Sequence, residues 1–318
     1  MLCYSLTQAS GVQKSPLRIA LLNNGILGDG IFYFGEGMLY LILLSVPAMV
    51  LIFYGAGKLK RTLCQRRRRQ LRNRPFPDSW RETLLQEFAL YRRLPAADRL
   101  ALQGHIQVFL DEKIFVGCNG FEINDRVRLL IAAQACILIL HKPTDYYPGF
   151  ETILVYPDIF VVPVTQRDGM LYSETLSTRS GESWHRGPIV LAWDQVRQGA
   201  GDERDGHNVV MHEFAHKLDE ENWNMDGLPI LADPAQYGPW KQVLTEAYAT
   251  LQRAIEQDRA DVIDDYGATS PAEFFAVVTE TFFEKPKQLK HQHPQLYDQF
   301  KAYYQLDPVQ WATHHESV

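Results

Sequence analysis

Val209-Val210-Met211-His212-Glu213-Phe214-Ala215-His216-Lys217-Leu218 is helical by pattern, with Val210, Met211, Phe214, Ala215 and Leu218 forming an apolar stripe that needs a core to cover it. His212 and His216 stand four residues apart, one turn along the same face, so both imidazoles can reach one ion. Glu213 follows the first histidine directly, where its carboxylate can meet a water activated by that ion. Ten histidines in 318 residues make a chance H-E-x-x-H scarce, on the order of a few per cent. The bland alternative, a helix with two surface histidines, is disfavoured by the apolar flanks, because half-buried imidazoles need partners.

A catalytic zinc site takes three protein ligands and keeps one position open. Glu220 lies one turn beyond His216 and approaches from a poor direction. The residues after His216 are Lys217-Leu218-Asp219-Glu220, which exclude the H-x-x-G-x-x-H continuation. That leaves a glutamate on a later helix, the gluzincin arrangement. The helix predicted from Pro271 offers Glu273 and Glu280, seven residues apart on one face. Ser270-Pro271-Ala272-Glu273 also reads as a capping box, in which Glu273 only satisfies a backbone donor. Phe274, Phe275, Ala276, Val277, Val278, Phe282 and Phe283 make this helix apolar nearly all round. A carboxylate there is costly without a cation or donors. Residue chemistry alone leaves Glu273 and Glu280 both open.

The rest of the chain sets the context. With 46% hydrophobic and 22% charged residues it is ordinary globular material. Its net charge of −6 hides an asymmetry: Lys58 to Arg74 holds nine Lys/Arg and no acid, leaving −15 on the remainder. So acidic a body is a poor match for phosphate backbones, and no direct nucleic-acid binding is expected. Cys3, Cys64, Cys118 and Cys136 are scattered without a C-x-x-C, which argues against a disulfide framework and a thiolate metal site.

Residues 37–57 are an uncharged, mostly apolar run long enough for one transmembrane helix. The cations follow this run instead of preceding it, which is the wrong side for a signal peptide. The same asymmetry predicts a single-pass inner-membrane protein with its body in the cytoplasm. A basic linker is expected over 58–76, where the cations could meet anionic headgroups or simply stay solvated. No pattern is evident in 1–36, and 311–318 reads as a tail.

From residue 77 to 310 the pattern is that of one soluble domain. Helices are predicted over 79–90 (capped by Ser79), 98–110 and 125–140, and from Asn208, Pro239 and Pro271. Strands are predicted over 152–156, 159–164 and 189–193, with a hairpin near Arg167-Asp168-Gly169. The strand 189–193 reads either as an edge that pairs with an extended peptide or as a plain core strand. Helices at both ends of a small sheet give an α+β body.

Three stretches carry a resemblance: Gly187-Pro188-Ile189-Val190-Leu191-Ala192-Trp193, His212-Glu213-Phe214-Ala215-His216-Lys217-Leu218-Asp219 and Tyr266-Gly267-Ala268-Thr269-Ser270-Pro271-Ala272-Glu273-Phe274-Phe275-Ala276-Val277. Over about 76–308 the chain resembles the Mlc titration factor A peptidases, zinc peptidases of gluzincin type. That resemblance implies Zn2+ held by His212, His216 and Glu273, with Glu213 as general base and Tyr266 stabilising the transition state. Glu280 then becomes a carboxylate that orients a histidine, with Asp219 a further candidate for such a role. The resemblance also implies a catalytic region similar to the anthrax lethal factor protease domain, a peptide or protein substrate, and a transcription regulator of the Mlc-repressor kind as partner. Nothing in it matches residues 1–60. A rival class is a membrane-tethered binding protein that sequesters such a regulator and keeps a weak or vestigial peptidase site. The intact set of five site residues argues against a dead enzyme.

Overall fold

The computed structural model describes residues 36–158, 160–168, 171–179, 181–183 and 187–311. The chain divides into two compact units, residues 1–61 and 62–318. Helix α1, Glu36–Arg72, begins in the first and ends in the second. The predicted membrane segment is helical in its backbone, and Met49 to Tyr54 are exposed. Side chains at 36–44 and 46–48 lie outside the described residues, as do residues 1–35 and the tail 312–318. Among the described residues no helix is long and apolar enough to cross a membrane. Where a linker was expected, α1 continues to Arg72, since Lys, Arg, Gln and Leu are good helix formers and no proline intervenes before Pro75.

The second unit continues with α2 (Asp78–Glu87), α3 (Ala89–Arg93), α4 (Ala96–Glu112), β1 (Ile114–Gly117), α5 (Asp125–Ile137) and β2 (Thr152–Tyr156). Next come β3 (Phe160–Asp168), β4 (Leu171–Arg179), β5 (Gly181–Ser183), β6 (Ile189–Ala192), α6 (Trp193–Gly201) and α7 (Val209–Asp219). The chain closes with α8 (Tyr237–Glu256), α9 (Pro271–Glu284), α10 (Pro286–Gln292), α11 (Pro294–Tyr304) and α12 (Pro308–Trp311). It is mostly helical around a small sheet, as the α+β expectation had it. Strand order is β1-β2-β6-β5; β1, β2 and β6 run parallel and β5 pairs antiparallel to β6. The hairpin expected near Asp168 is β3–β4, a separate ribbon in which Asp168 pairs with Leu171.

Two local readings need correction. The first helix of the body has Pro77, not Ser79, at its N-cap and breaks at Phe88, whose extended backbone separates α2 from α3. Of the two readings left open for 189–193, the edge strand falls and the core strand holds. β6 is paired on both sides, to β2 and β5, and Trp193 already starts α6. Its unbroken apolar run, Ile189-Val190-Leu191-Ala192, suits a strand buried on both faces. The antiparallel edge belongs to β5, which packs against α7.

The core fixes α7 and α9 side by side. Phe214 of α7 lies with its ring centroid 4.8 Å from Tyr147, 5.6 Å from Phe109 and 5.8 Å from Phe150. On α9, Phe275 packs against Trp240 and Phe300, while Phe282 and Phe283 pack against Tyr304. Each such fully buried ring contributes roughly 1.5–3 kcal/mol of burial free energy. With their apolar faces committed this way, the two helices turn their polar residues toward each other.

Candidate metal centre

Asn208 starts α7 with an extended backbone and an oxygen that accepts from Met211 N at 3.0 Å. Its amide also donates to Gly199 O at 3.0 Å and to Glu284 Oε1 at 3.1 Å, tying α6 and α9 to the start of the histidine helix. From this cap the chain carries His212 and His216 onto one face, ring centroids 4.8 Å apart.

Three ligand atoms converge there. His212 Nε2 and His216 Nε2 are 3.2 Å apart, and Glu273 Oε2 lies 3.0 Å from the first and 3.3 Å from the second. A tetrahedral ion with bonds of ~2.0–2.2 Å has ligand-to-ligand edges of about 3.3–3.6 Å. The triangle is nearly that size, and two ring nitrogens plus one carboxylate are a donor set suited to a divalent ion. His212, His216 and Glu273 are thus a group that could hold a metal.

Electrostatics agree with the geometry. Burial works to raise the Glu273 carboxyl, but the hydrogen bonds from His212 and His216 reverse it and hold the group well below the usual carboxylate range. Burial likewise works to lower His212; Glu280 first, then Glu273 and Glu213, overcome it and hold the ring well above its ordinary value. The centre therefore draws in positive charge, whether a proton or an ion supplies it.

The two glutamates left open by the sequence occupy opposite sides of one imidazole. Glu273 meets His212 Nε2, whereas Glu280 Oε1 lies 2.7 Å from Nδ1 and its other oxygen accepts from the backbone of Asn208. Glu280 thereby fixes the ring's orientation and its tautomer. Ser270 does cap α9, accepting from Glu273 N at 3.2 Å, while the Glu273 side chain turns to the histidines. The capping-box sequence therefore uses only half of that motif.

Asp219 does not hydrogen-bond to a histidine. Its Oδ2 accepts from Gly227 N at 2.8 Å, and burial pushes its carboxyl up to about 6 against the pull of that donor. Gly227 has φ +75, and a Cβ there would stand 2.5 Å from the Pro271 carbonyl oxygen. Only glycine lets this turn close on the start of α9. Asp219 thus braces the helix that presents Glu273. Glu213 is buried beside the triangle without belonging to it. Tyr266, in a 3-10 turn at Asp265–Ala268 just before α9, is exposed, its ring centroid 6.0 Å from that of His212.

Sequence reasoning started a helix at Asn208 but missed that residue's capping role, and it missed Glu284. The signal for Asn208 was present, an N-cap residue three positions before Met211. Burial pushes the Glu284 carboxyl well up, with Asn208 opposing, and nothing local in the sequence marks it.

A histidine pair on one core helix, completed by a glutamate on a later helix packed against it, places the molecule among metallopeptidase-like proteins. Residues 63–305 match the family described as glucose-regulated metallo-peptidase M90, and the chain belongs to that family. An uncharacterized protein of Synechocystis sp. (strain PCC 6803) is 45% identical over 245 residues, 76% of this chain and 89% of the relative. The Mlc titration factor A proteins of Escherichia coli O7:K1 and Shigella flexneri are each 34% identical over 240 residues, 74% of this chain and 88% of the relative. Residues 1–62 lie outside the family match.

Proposed function

We propose that the chain is a zinc peptidase of gluzincin type, with His212, His216 and Glu273 as ligands. The observation that carries this is the near-tetrahedral triangle of two Nε2 atoms and one carboxylate oxygen, with Glu213 next to it. Bound there, the ion would supply Lewis-acid polarisation of a water and of the substrate carbonyl. Glu213 takes the proton from the attacking water and returns it to the departing amine. Tyr266, exposed at the mouth of the site, stabilises the developing oxyanion by a hydrogen bond from its hydroxyl, which keeps its proton. Glu280 holds His212 so that Nε2 faces inward. An extended peptide adding to β5 on the side that is unpaired among the described residues would lie along α7 and present its carbonyls to the site. The test is hydrolysis of a mixed peptide library by the full chain. Activity is expected to vanish with a chelator and return with stoichiometric zinc; activity indifferent to the chelator sinks the proposal.

The name carried by the relatives, Mlc titration factor, favours a second role beside catalysis, binding a transcription regulator of the Mlc-repressor type. The proposal also has a location: residues 37–57 anchor the chain in the inner membrane, and the nine cations after them keep the body in the cytoplasm. The full chain should then stay with membranes through alkaline extraction, and added protease should digest the body only in inside-out vesicles. Release by alkali, or digestion in right-side-out vesicles, overturns that location.

A further inference from the structure

The arginine run has no part in the metal centre, yet its second half is built into the body. Arg68 donates to Glu112 at 2.7 Å and to Asp145 at 2.8 Å, and lies 4.8 Å over the Tyr146 ring. Arg67 pairs with Asp111 at 2.9 Å, and Gln107 donates to Arg74 O at 3.1 Å. Gly104 lets α4 approach closely, since a Cβ there would stand 3.3 Å from the Arg72 backbone oxygen. The end of α1, α4 and the loop at 140–146 thereby enclose a cleft of about 1270 Å³ that shares no lining residue with the metal centre.

Its wall is strongly cationic. Arg68, Arg69, Arg72, Arg74, Arg81 and Lys142 line it, and Asp145 is the carboxylate among the lining residues. Arg68 is matched by Glu112 and Asp145, and Arg81 by Asp78. Arg69, Arg72 and Arg74 are exposed and have no ion pair among the described residues, in a body that is otherwise acidic. Two buried lining residues add unused polar atoms: His105 Nδ1 and the Tyr146 hydroxyl make no hydrogen bond.

We propose that this cleft binds a phosphate-bearing ligand. Guanidinium groups match phosphate oxygens in bidentate geometry, and three uncompensated ones around a single cleft favour a multiply charged anion over a lone carboxylate. The cleft exceeds the size of a bare phosphate ion and leaves room for a further moiety, as in an acidic lipid headgroup or a soluble phosphorylated molecule.

The experiment uses the full chain in neutral detergent with inorganic pyrophosphate as soluble probe. In parallel it measures the excess binding to vesicles of phosphatidylcholine with phosphatidylglycerol over phosphatidylcholine alone. The double variant Arg72→Gln/Arg74→Gln is compared with Lys60→Gln/Arg66→Gln, which removes the same charge outside the cleft. All four positions are exposed, so the fold should survive, and circular dichroism checks it. Saturable binding of either probe should weaken about ten-fold or more in the first variant and stay near parental in the second. A response confined to pyrophosphate assigns a soluble ligand, and one confined to vesicles assigns a headgroup. Equal weakening by both variants, or no saturable binding of either probe, overturns the proposal.

Discussion

Glu213→Gln should keep its metal and its fold while peptide hydrolysis falls by ~10²–10⁴. Glu213 sits on α7 one residue past His212, is 4% exposed, and stands outside the three-atom triangle. Glutamine has nearly the same volume, so core packing changes little. What it loses is the ability to accept a proton from water and pass it to the amine. Removing a group that acts only in the chemical step lowers kcat and leaves KM close to parental. The same variant separates the two roles proposed above, because binding of a transcription regulator needs no proton acceptor at this position. Parental turnover in Glu213→Gln would reject the general-base assignment; loss of the metal along with turnover would show that Glu213 had been misread as a non-ligand.

The candidate metal centre was legible in the sequence because each of its parts obeys a local rule. A four-residue spacing puts two histidines on one face, and a capped apolar helix announces the element that brings the carboxylate. What the sequence could not separate was Glu273 from Glu280. They share a face of α9, and both meet His212, since an imidazole has two nitrogens and each glutamate faces one. Only the tertiary packing of α9 on α7 decides which carboxylate reaches which nitrogen. Of the two readings left open for 189–193 the core strand holds, as the unbroken apolar run indicates by its burial on both faces. β1 and β5 went unseen, being four and three residues long with no clear alternation. The arginine run read as a linker because the carboxylates that dock it, Glu112 and Asp145, lie 44 and 77 residues away.

His216→Ala should abolish stoichiometric metal binding, and Glu273→Gln should come close to it. Each supplies one corner of a triangle whose edges are 3.0, 3.2 and 3.3 Å, and two remaining ligands hold a catalytic ion poorly. An amide oxygen is a far weaker ligand than a carboxylate, so Gln at 273 preserves shape while losing the charge that binds the ion. Glu280→Gln touches the metal only through His212. Changes to such an orienting partner weaken metal affinity by ~10–100-fold, so this variant should keep metal at saturating zinc and lose it on dialysis against a mild chelator. Glu280 also accepts from the Asn208 backbone, so some loss of thermal stability should accompany that change. Zinc content of the purified variants, read beside Tm with and without added zinc, ranks the three. The expected order of metal loss is His216→Ala, then Glu273→Gln, then Glu280→Gln. Full zinc in Glu273→Gln beside an empty Glu280→Gln would reverse the roles of the two glutamates, and stoichiometric zinc in His216→Ala would remove the site altogether.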